Sequence, residues 1–204
     1  MKRAPHYQQS YPMQKLLHKR IAILAADGFE QVELEKPRKA LEDAGATTEI
    51  VSPASGDIQG MNHDEKGDTV AVDIPLEDAD ADDYDALMIP GGLINPDTLR
   101  SSKPALDFVR RFFVAGKPVA AICHAPWVLI DADLLKGRTL TSWPAIKTDV
   151  RNAGGHWVDR EVVVDRGLVT SRKPADIPAF NEKMIEEFCE GAHAGQAASV
   201  RTEA

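Results

Sequence analysis

The sequence predicts one α/β domain built on a doubly wound, mostly parallel sheet with helices on both faces. Short apolar runs alternate with segments of helical spacing, which is typical of a parallel sheet. The apolar runs lack polar alternation, and this indicates strands buried on both faces. The chain has 204 residues, 43% of them hydrophobic, which is enough for one core and too few for two typical domains.

Apolar and β-branched runs predict the strands of the sheet. The predicted strands lie at residues 19–25, 47–52, 85–90 and 118–122. Two other segments, 56–74 and 161–171, combine alternating apolar residues with glycines, so we expect small β-hairpin excursions at the sheet edges.

Helices are predicted between and after these strands by their apolar stripes. They lie at residues 103–116, 125–135, 144–153 and 174–190. Residues 33–44 also have helical spacing, but a helix interior tolerates proline poorly. We therefore expect that helix to begin near Glu35 or Lys36, with Pro37 in its first turn, and the residues before it to form a separate turn.

Charge divides the chain into a basic beginning and an acidic body. The first 20 residues hold five basic and no acidic side chains, whereas the rest hold 19 basic and 32 acidic ones. An acidic body repels phosphate backbones, so we expect no nucleic-acid partner. We interpret residues 1–18 as a polar surface arm, 19–192 as the domain and 193–204 as a C-terminal tail. An organelle presequence is the alternative for the arm.

Targeting and cysteine signals are sparse. No apolar run matches a secretory signal or a membrane span, so we expect a cytoplasmic protein without membrane contact.

Cys123 and Cys189 lie in neither a CxxC nor a zinc-type spacing, and we expect no disulfide scaffold, metal or cofactor. Cys189 follows Phe188 on the last predicted helix, where we expect partial burial and a packing role.

Cys123 lies where a buried strand passes directly into a helix. Ala121 and Ala125 flank it two residues away on either side, as the crowded backbone of a nucleophile elbow requires. There the thiol would face the free amides of a helix start, which predicts a lowered pKa and a reactive thiolate. The alternative is a buried cysteine that packs as a small hydrophobic residue.

Residues 89–92, with the sequence IPGG, end the neighbouring strand. Backbone amides at this turn could approach the cysteine and form an oxyanion hole, for which Gly92 is the candidate. A simple tight turn is the alternative. Trp127 and Trp143 are candidates for the border of the same pocket.

Several blocks of the sequence together resemble the PfpI branch of the ThiJ/PfpI superfamily, within the flavodoxin-like, class I glutamine amidotransferase-like fold. They span nearly everything after residue 20. The blocks are DGFEQVE (27–33), IPGG (89–92), GKPVAAICHAP (116–126), LLKGRTLTS (134–142) and NAGGHWVDREVVVD (152–165).

The resemblance implies roles for four residues. Cys123 would be the nucleophile, His124 its partner, and the amides of Gly92 and His124 the oxyanion donors. Glu30 would be the acidic residue beside the thiol, and a protonated Glu30 would donate a hydrogen bond to thiolate or sulfinate. The alternative for Glu30 is a carboxylate at a helix start.

A further acid, in relatives that resemble proteases, orients the histidine from the same or an adjacent subunit. Here Asp97 is the candidate, although the loop is one residue longer than in that pattern and a helix cap is the alternative. A role across subunits requires an assembly, so we expect a homodimer or a larger homo-oligomer.

Two classes of function follow from these residues. The first is a stress-response cysteine hydrolase that acts on peptide, glycated or aldehyde substrates, as a protease, deglycase or glyoxalase. The second is a non-enzymatic redox sensor or chaperone whose Cys123 oxidises to a sulfinate.

Overall fold

The computed structural model describes residues 15–201, and residues 1–14 of the arm predicted over 1–18 lie outside this range. A seven-stranded sheet forms its centre, with strand order β11-β12-β8-β7-β1-β3-β6. All neighbouring strands are parallel except the pair β11 and β12. The strands of this sheet are β1 (Arg20–Leu24), β3 (Thr47–Ser52), β6 (Ile74–Pro75), β7 (Ala86–Ile89), β8 (Val119–Ile122), β11 (Val162–Asp165) and β12 (Leu168–Ser171).

Helices cover both faces of this sheet, as expected. Alternate residues of the central strands point into two separate apolar clusters, for example Leu24 into one and Ile23 into the other. Helices α1 and α6 pack on the second cluster, and α2 to α5 contribute to the first. The helices are α1 (Gln31–Asp43), α2 (Ile94–Arg100), α3 (Lys103–Val114), α4 (Pro126–Asp131), α5 (Lys147–Asn152), α6 (Ile177–Glu190) and α7 (Ala194–Arg201).

Two small sheets complete the fold. The hairpin expected over 56–74 forms, but it pairs with β2 in a sheet of its own and not with the edge of the central sheet. The second segment, 161–171, also forms a hairpin, and it lies at the edge of the central sheet, where β12 pairs with β8 and β11 is the edge strand. The remaining strands are β2 (Phe29–Glu30), β4 (Asp57–Asn62), β5 (Glu65–Ala71), β9 (Thr139–Leu140) and β10 (His156–Trp157).

The first helix begins earlier than predicted. Helix α1 starts at Gln31, so Pro37 lies inside it and leaves the carbonyl of Glu33 without its usual helical amide partner. Tertiary packing overrides this local cost, because Leu34, Pro37 and Leu41 are all buried on one side of the helix. The earlier start places Glu33 on the inward face of the first turn.

Both ends of the described chain pack more closely than predicted. Leu16, assigned to the arm, is fully buried, and its amide donates to the carbonyl of Ala44. Residues 193–204 were expected to form a tail, but Ala194–Arg201 is a helix that packs against α3, with Gln196 fully buried. Within residues 15–201, no helix has the length and apolar character needed to cross a membrane.

The strand order reverses beside β1, since β3 and β6 lie on one side and β7, β8 and β12 on the other. In open α/β sheets, ligands bind at the carboxyl ends of the strands near such a reversal. The turns that follow β1, β7 and β8 meet at this edge, and they carry Glu30, Gly92 and Cys123.

Candidate active site at Cys123

The predicted nucleophile elbow forms at the end of β8. Cys123 adopts φ 64°, a left-handed conformation that is uncommon for residues other than glycine. Its amide donates to the carbonyl of Ser171 at 3.0 Å, and its carbonyl accepts from the amide of Trp143 at 2.8 Å. These two backbone bonds hold the turn and fix the direction of the side chain.

The Cys123 side chain lines a cavity of about 190 Å³. The residue is 8% exposed, whereas the apolar rim residues Leu93 and Trp143 are 60% and 37% exposed. The sulfur is therefore sheltered but reachable from the surface. The lining residues are Glu30, Glu33, His63, Gly92, Leu93, Cys123, His124, Trp143 and Pro174.

The acidic group that faces the thiol belongs to Glu33, so the assignment of this role to Glu30 is wrong. The Glu33 carboxyl contacts Cys123, and its Oε2 atom accepts the amide of Gly91 at 3.1 Å. The residue is fully buried, and its Oε1 atom accepts no hydrogen bond from any residue in the range 15–201. Helix α1 turns this side chain inward because it begins at Gln31.

Glu30 lies at the end of β2 and forms another part of the cavity wall. Its Oε2 atom accepts the backbone amide of His63 at 3.1 Å, and this bond joins it to the tip of the β4–β5 hairpin. It is also the N-cap residue of α1, although its side chain makes no capping bond. Its charge acts on the neighbouring Glu33 carboxyl.

The environment shifts the protonation of Glu33 strongly. Burial, followed by the charge of Glu30, raises the pKa of the Glu33 carboxyl to about 8. Hydrogen bonds from Cys123 and from the amides of Gly91 and Gly92 oppose this rise. The carboxyl is therefore protonated at neutral pH and can donate a hydrogen bond.

The expectation of a lowered thiol pKa is wrong. Burial, followed by the charge of Glu33, raises the pKa of the Cys123 thiol, although the amides of Gly92 and His124 act in the opposite direction. Helix α4 begins three residues later, at Pro126, and the shelter of the cavity outweighs its amides. The Glu33 carboxyl therefore ionises before the thiol, and its charge then disfavours the thiolate, so Cys123 and Glu33 titrate as a coupled pair.

His124 reaches the sulfur despite following it directly in the chain. Its Nδ1 atom lies 3.2 Å from the Cys123 sulfur. The ring stacks on Trp143, with centroids 5.9 Å apart, and Trp143 lines the cavity as expected. Trp127 lies 5.1 Å from the His124 ring but is not among the residues that line the cavity. Burial lowers the pKa of the His124 imidazole, which favours the neutral form that accepts protons.

Two backbone amides converge on the thiol, those of Gly92 and His124. Gly92 adopts φ 86° and lies so close to β2 that a side-chain carbon would approach the amide nitrogen of Glu30 to 2.7 Å. Gly91 is equally constrained, since a side-chain carbon there would lie 2.5 Å from Cβ of Cys123. Donors placed in this way match those of an oxyanion hole.

Asp97 lies in the first turn of α2 and is exposed. Among residues 15–201, its carboxylate has no hydrogen bond or ion pair. Its backbone carbonyl accepts a hydrogen bond from the Ser101 hydroxyl at 3.0 Å. Within one chain, then, the structure does not bring Asp97 to His124. A role across subunits stays a prediction.

Cys189 is exposed, contrary to the partial burial predicted for it. It follows the buried Phe188 on α6 and faces outward, which makes it a useful matched control for Cys123.

Comparison with known proteins decides the family. The model of the DJ-1/PfpI family matches residues 19–187. The chain belongs to the DJ-1/PfpI family. The match covers the elbow, both glycines of the IPGG turn and the two glutamates of the cavity.

Members of the DJ-1/PfpI family with curated names are similar along most of their length. "Putative cysteine protease YraA" of Bacillus subtilis is 44% identical over 169 residues, which cover 83% of this chain and 98% of that protein. A protein of Pyrococcus abyssi named as a deglycase is 43% identical over 167 residues, covering 82% and 98%. The solved structure of Drosophila melanogaster DJ-1beta has a TM-score of 0.76 at 29% identity, covering 89% of this chain and 95% of that one.

Sequence reasoning missed two DJ-1/PfpI site residues, Glu33 and Gly91. Both lie inside the blocks DGFEQVE and IPGG, so the signal was present. A helix predicted to start at Gln31 would have grouped Glu33 with the buried residues Leu34 and Pro37. That grouping would have identified Glu33 as a candidate site residue.

Proposed function

We propose that this chain is a cysteine-dependent enzyme that acts on small carbonyl compounds, with Cys123 as nucleophile and Glu33 and His124 as proton carriers. The observation that carries the proposal is the set of groups around one sulfur. A carboxyl with a pKa near neutrality, a neutral imidazole at 3.2 Å and two backbone amides all face it. Acyl and carbonyl chemistry needs these groups: a nucleophile, a proton carrier and oxyanion donors.

The first step is addition to a carbonyl. The Cys123 sulfur forms a bond to the carbonyl carbon, and the electron pair of the C=O bond moves to oxygen, where the amides of Gly92 and His124 stabilise it. The thiol proton passes to the neutral imidazole of His124 and from there to the oxygen. With an aldehyde, the product is a hemithioacetal.

An α-oxoaldehyde such as methylglyoxal can react further in the same site. His124 removes the proton from the former aldehyde carbon and returns it to the neighbouring carbon, while the Glu33 carboxyl relays the hydroxyl proton to the neighbouring oxygen, and a thioester is left on Cys123. Water hydrolyses the thioester, releases a hydroxy acid and restores the thiol. The net change is the addition of one water molecule.

The size of the cavity favours small substrates over polypeptides. Its volume of about 190 Å³ is smaller than the roughly 300–1,000 Å³ of most small-molecule pockets. Apolar rim residues and a polar floor suit a short carbonyl compound or a glycated side chain. The relatives named as a deglycase and a cysteine protease support hydrolytic chemistry on this scaffold in general.

Turnover of methylglyoxal by matched cysteine variants tests the proposal. We expect Cys123→Ala to abolish formation of the hydroxy acid and the exposed Cys189→Ala to leave it unchanged. His124→Ala should lower the rate by about 100-fold or more, because it removes a proton carrier. Turnover retained by Cys123→Ala contradicts the proposal.

The second candidate is a redox sensor, and the protonated Glu33 carboxyl favours it, because it can donate a hydrogen bond to a sulfinate. Mild peroxide followed by intact mass measurement separates the two functions. A gain of two oxygen atoms that stops at Cys123, together with no turnover of methylglyoxal, identifies sensing. Turnover before oxidation and loss of turnover after it identifies the enzyme.

A further inference from the structure

The end of α6 carries a second group of chemically capable side chains, which takes no part in the cysteine site. Glu187, Glu190 and His193 each offer one ligand atom, and these atoms lie within 4.8 Å of one another. Glu187 and Glu190 are three residues apart and share one face of the helix. Gly191, at φ 83°, ends the helix and returns the chain so that His193 lies over the last turn.

The polar atoms of this group lack other partners. The Glu187 side chain is 10% exposed, and among residues 15–201 its only polar contact is with His193, at 3.4 Å between Oε2 and Nε2. The Nε2 atom of His193 is itself buried and has no hydrogen bond to any described residue. A buried carboxylate beside a second carboxylate is costly unless a cation accompanies it.

The backbone holds the imidazole firmly in place. The amide of His193 donates to the carbonyl of Gly116 at 2.7 Å. The ring lies close to Gly167, where a side-chain carbon would approach the ring to 2.7 Å. The ring nitrogen is thus aimed at Glu187 by contacts that do not involve the carboxylates.

We propose that Glu187, Glu190 and His193 bind a divalent transition-metal ion, with zinc as the best match. Zinc bonds to nitrogen and carboxylate oxygen measure about 2.0–2.2 Å, which places two tetrahedral ligand atoms about 3.4 Å apart. The Glu187–His193 separation equals that value. Glu190 is exposed, so it is free to close on the ion, and the fourth position is open to water.

The chemistry of the donors excludes the harder cations. Calcium takes six to eight oxygen ligands and magnesium keeps a nearly octahedral shell of oxygens, whereas an imidazole with two carboxylates suits zinc and its transition-metal neighbours. A bound ion would join the end of α6 to the start of α7, and so fasten α7 where it packs on α3.

Zinc titration by calorimetry tests this site, with Cys123→Ala and Cys189→Ala present in every variant so that thiols do not bind the metal. We expect one zinc ion per chain at this site, and an affinity that Glu190→Gln and His193→Gln each weaken by about tenfold or more. Glu186→Gln is the matched control, since Glu186 is exposed on the same helix and pairs with Lys183. It should bind zinc like the parent protein.

Thermal unfolding with zinc chloride provides the second measurement. Zinc should raise the unfolding temperature of the parent and of Glu186→Gln but not of Glu190→Gln, because only a ligand of the folded state stabilises it. Glu190 is exposed, so its substitution leaves the fold intact. Equal zinc affinity in Glu190→Gln and Glu186→Gln, or no saturable binding in the parent, overturns the proposal.

Discussion

The carboxyl group of Glu33 and the thiol of Cys123 border the same point, the α-carbon of Gly91. A side chain on Gly91 would collide with Glu33 Oε2 and would lie 2.5 Å from Cβ of Cys123. The carboxyl comes from the first turn of α1 and the thiol from the end of β8, so two distant segments supply one ionising pair. The missing side chain at Gly91 is what permits their contact.

Substitution of Gly91 tests whether this contact matters for chemistry. We expect Gly91→Ala to cost about 1–3 kcal/mol of stability, because the added methyl group overpacks the site. It should also lower activity more than tenfold, because the carboxyl and the thiol are forced apart. Gly137→Ala is the control: its surroundings are open, and only its left-handed backbone, φ 67°, carries a cost of about 1 kcal/mol. Full activity in folded Gly91→Ala would speak against the shared pair.

The raised pKa of Glu33 makes stability depend on pH. Its folded pKa of about 8 exceeds the ordinary value of 4.5, so the folded state binds the proton more tightly. Between these values the unfolded chain holds fewer protons, and stability therefore falls as pH rises. From about pH 5 to about pH 8 we expect a loss of about 3 kcal/mol that Glu33→Gln lacks. Urea unfolding of both proteins at the two pH values measures it, and parallel pH curves would refute the assignment.

Asp97 tests whether the site needs a second subunit. It is exposed on α2 and does not meet His124 within one chain. If an adjacent subunit brings it to the histidine, Asp97→Asn should lower kcat about tenfold, whereas Asp107→Asn, at a partly exposed acid on α3, should not. Sedimentation should then show a dimer or a larger assembly. A strict monomer with full activity removes Asp97 from the site.

The sequence predicted the sheet well because its signal is local. Each central strand is a short run of apolar residues, and both faces are buried, so β1, β3, β7 and β8 formed where expected. The elbow followed from the same logic, since Cys123 falls between an apolar strand and a helix.

The errors arose where tertiary contacts override local preference. Pro37 predicted a late start for α1, but buried packing keeps the helix intact from Gln31 and brings Glu33 inward. The thiol pKa depended on burial and on Glu33, and neither is visible from the elbow alone. Helix α7 has weak apolar patterning, and contacts such as the bond from Arg138 to Ser199 at 2.6 Å help to hold it.

The most direct test of the central claim, that the buried Glu33 carboxyl controls the ionisation of Cys123, is the rate of Cys123 alkylation as a function of pH. Cys189→Ala supplies the parent protein, so that only the sheltered thiol reacts. The Glu33 carboxyl ionises first, at about pH 8, and its charge then disfavours the thiolate, so we predict that alkylation stays slow through pH 8 and rises only at higher pH. In Glu33→Gln this charge is absent, so the thiol ionises more easily and the midpoint for alkylation should move to lower pH. An identical midpoint in the two proteins would contradict the account.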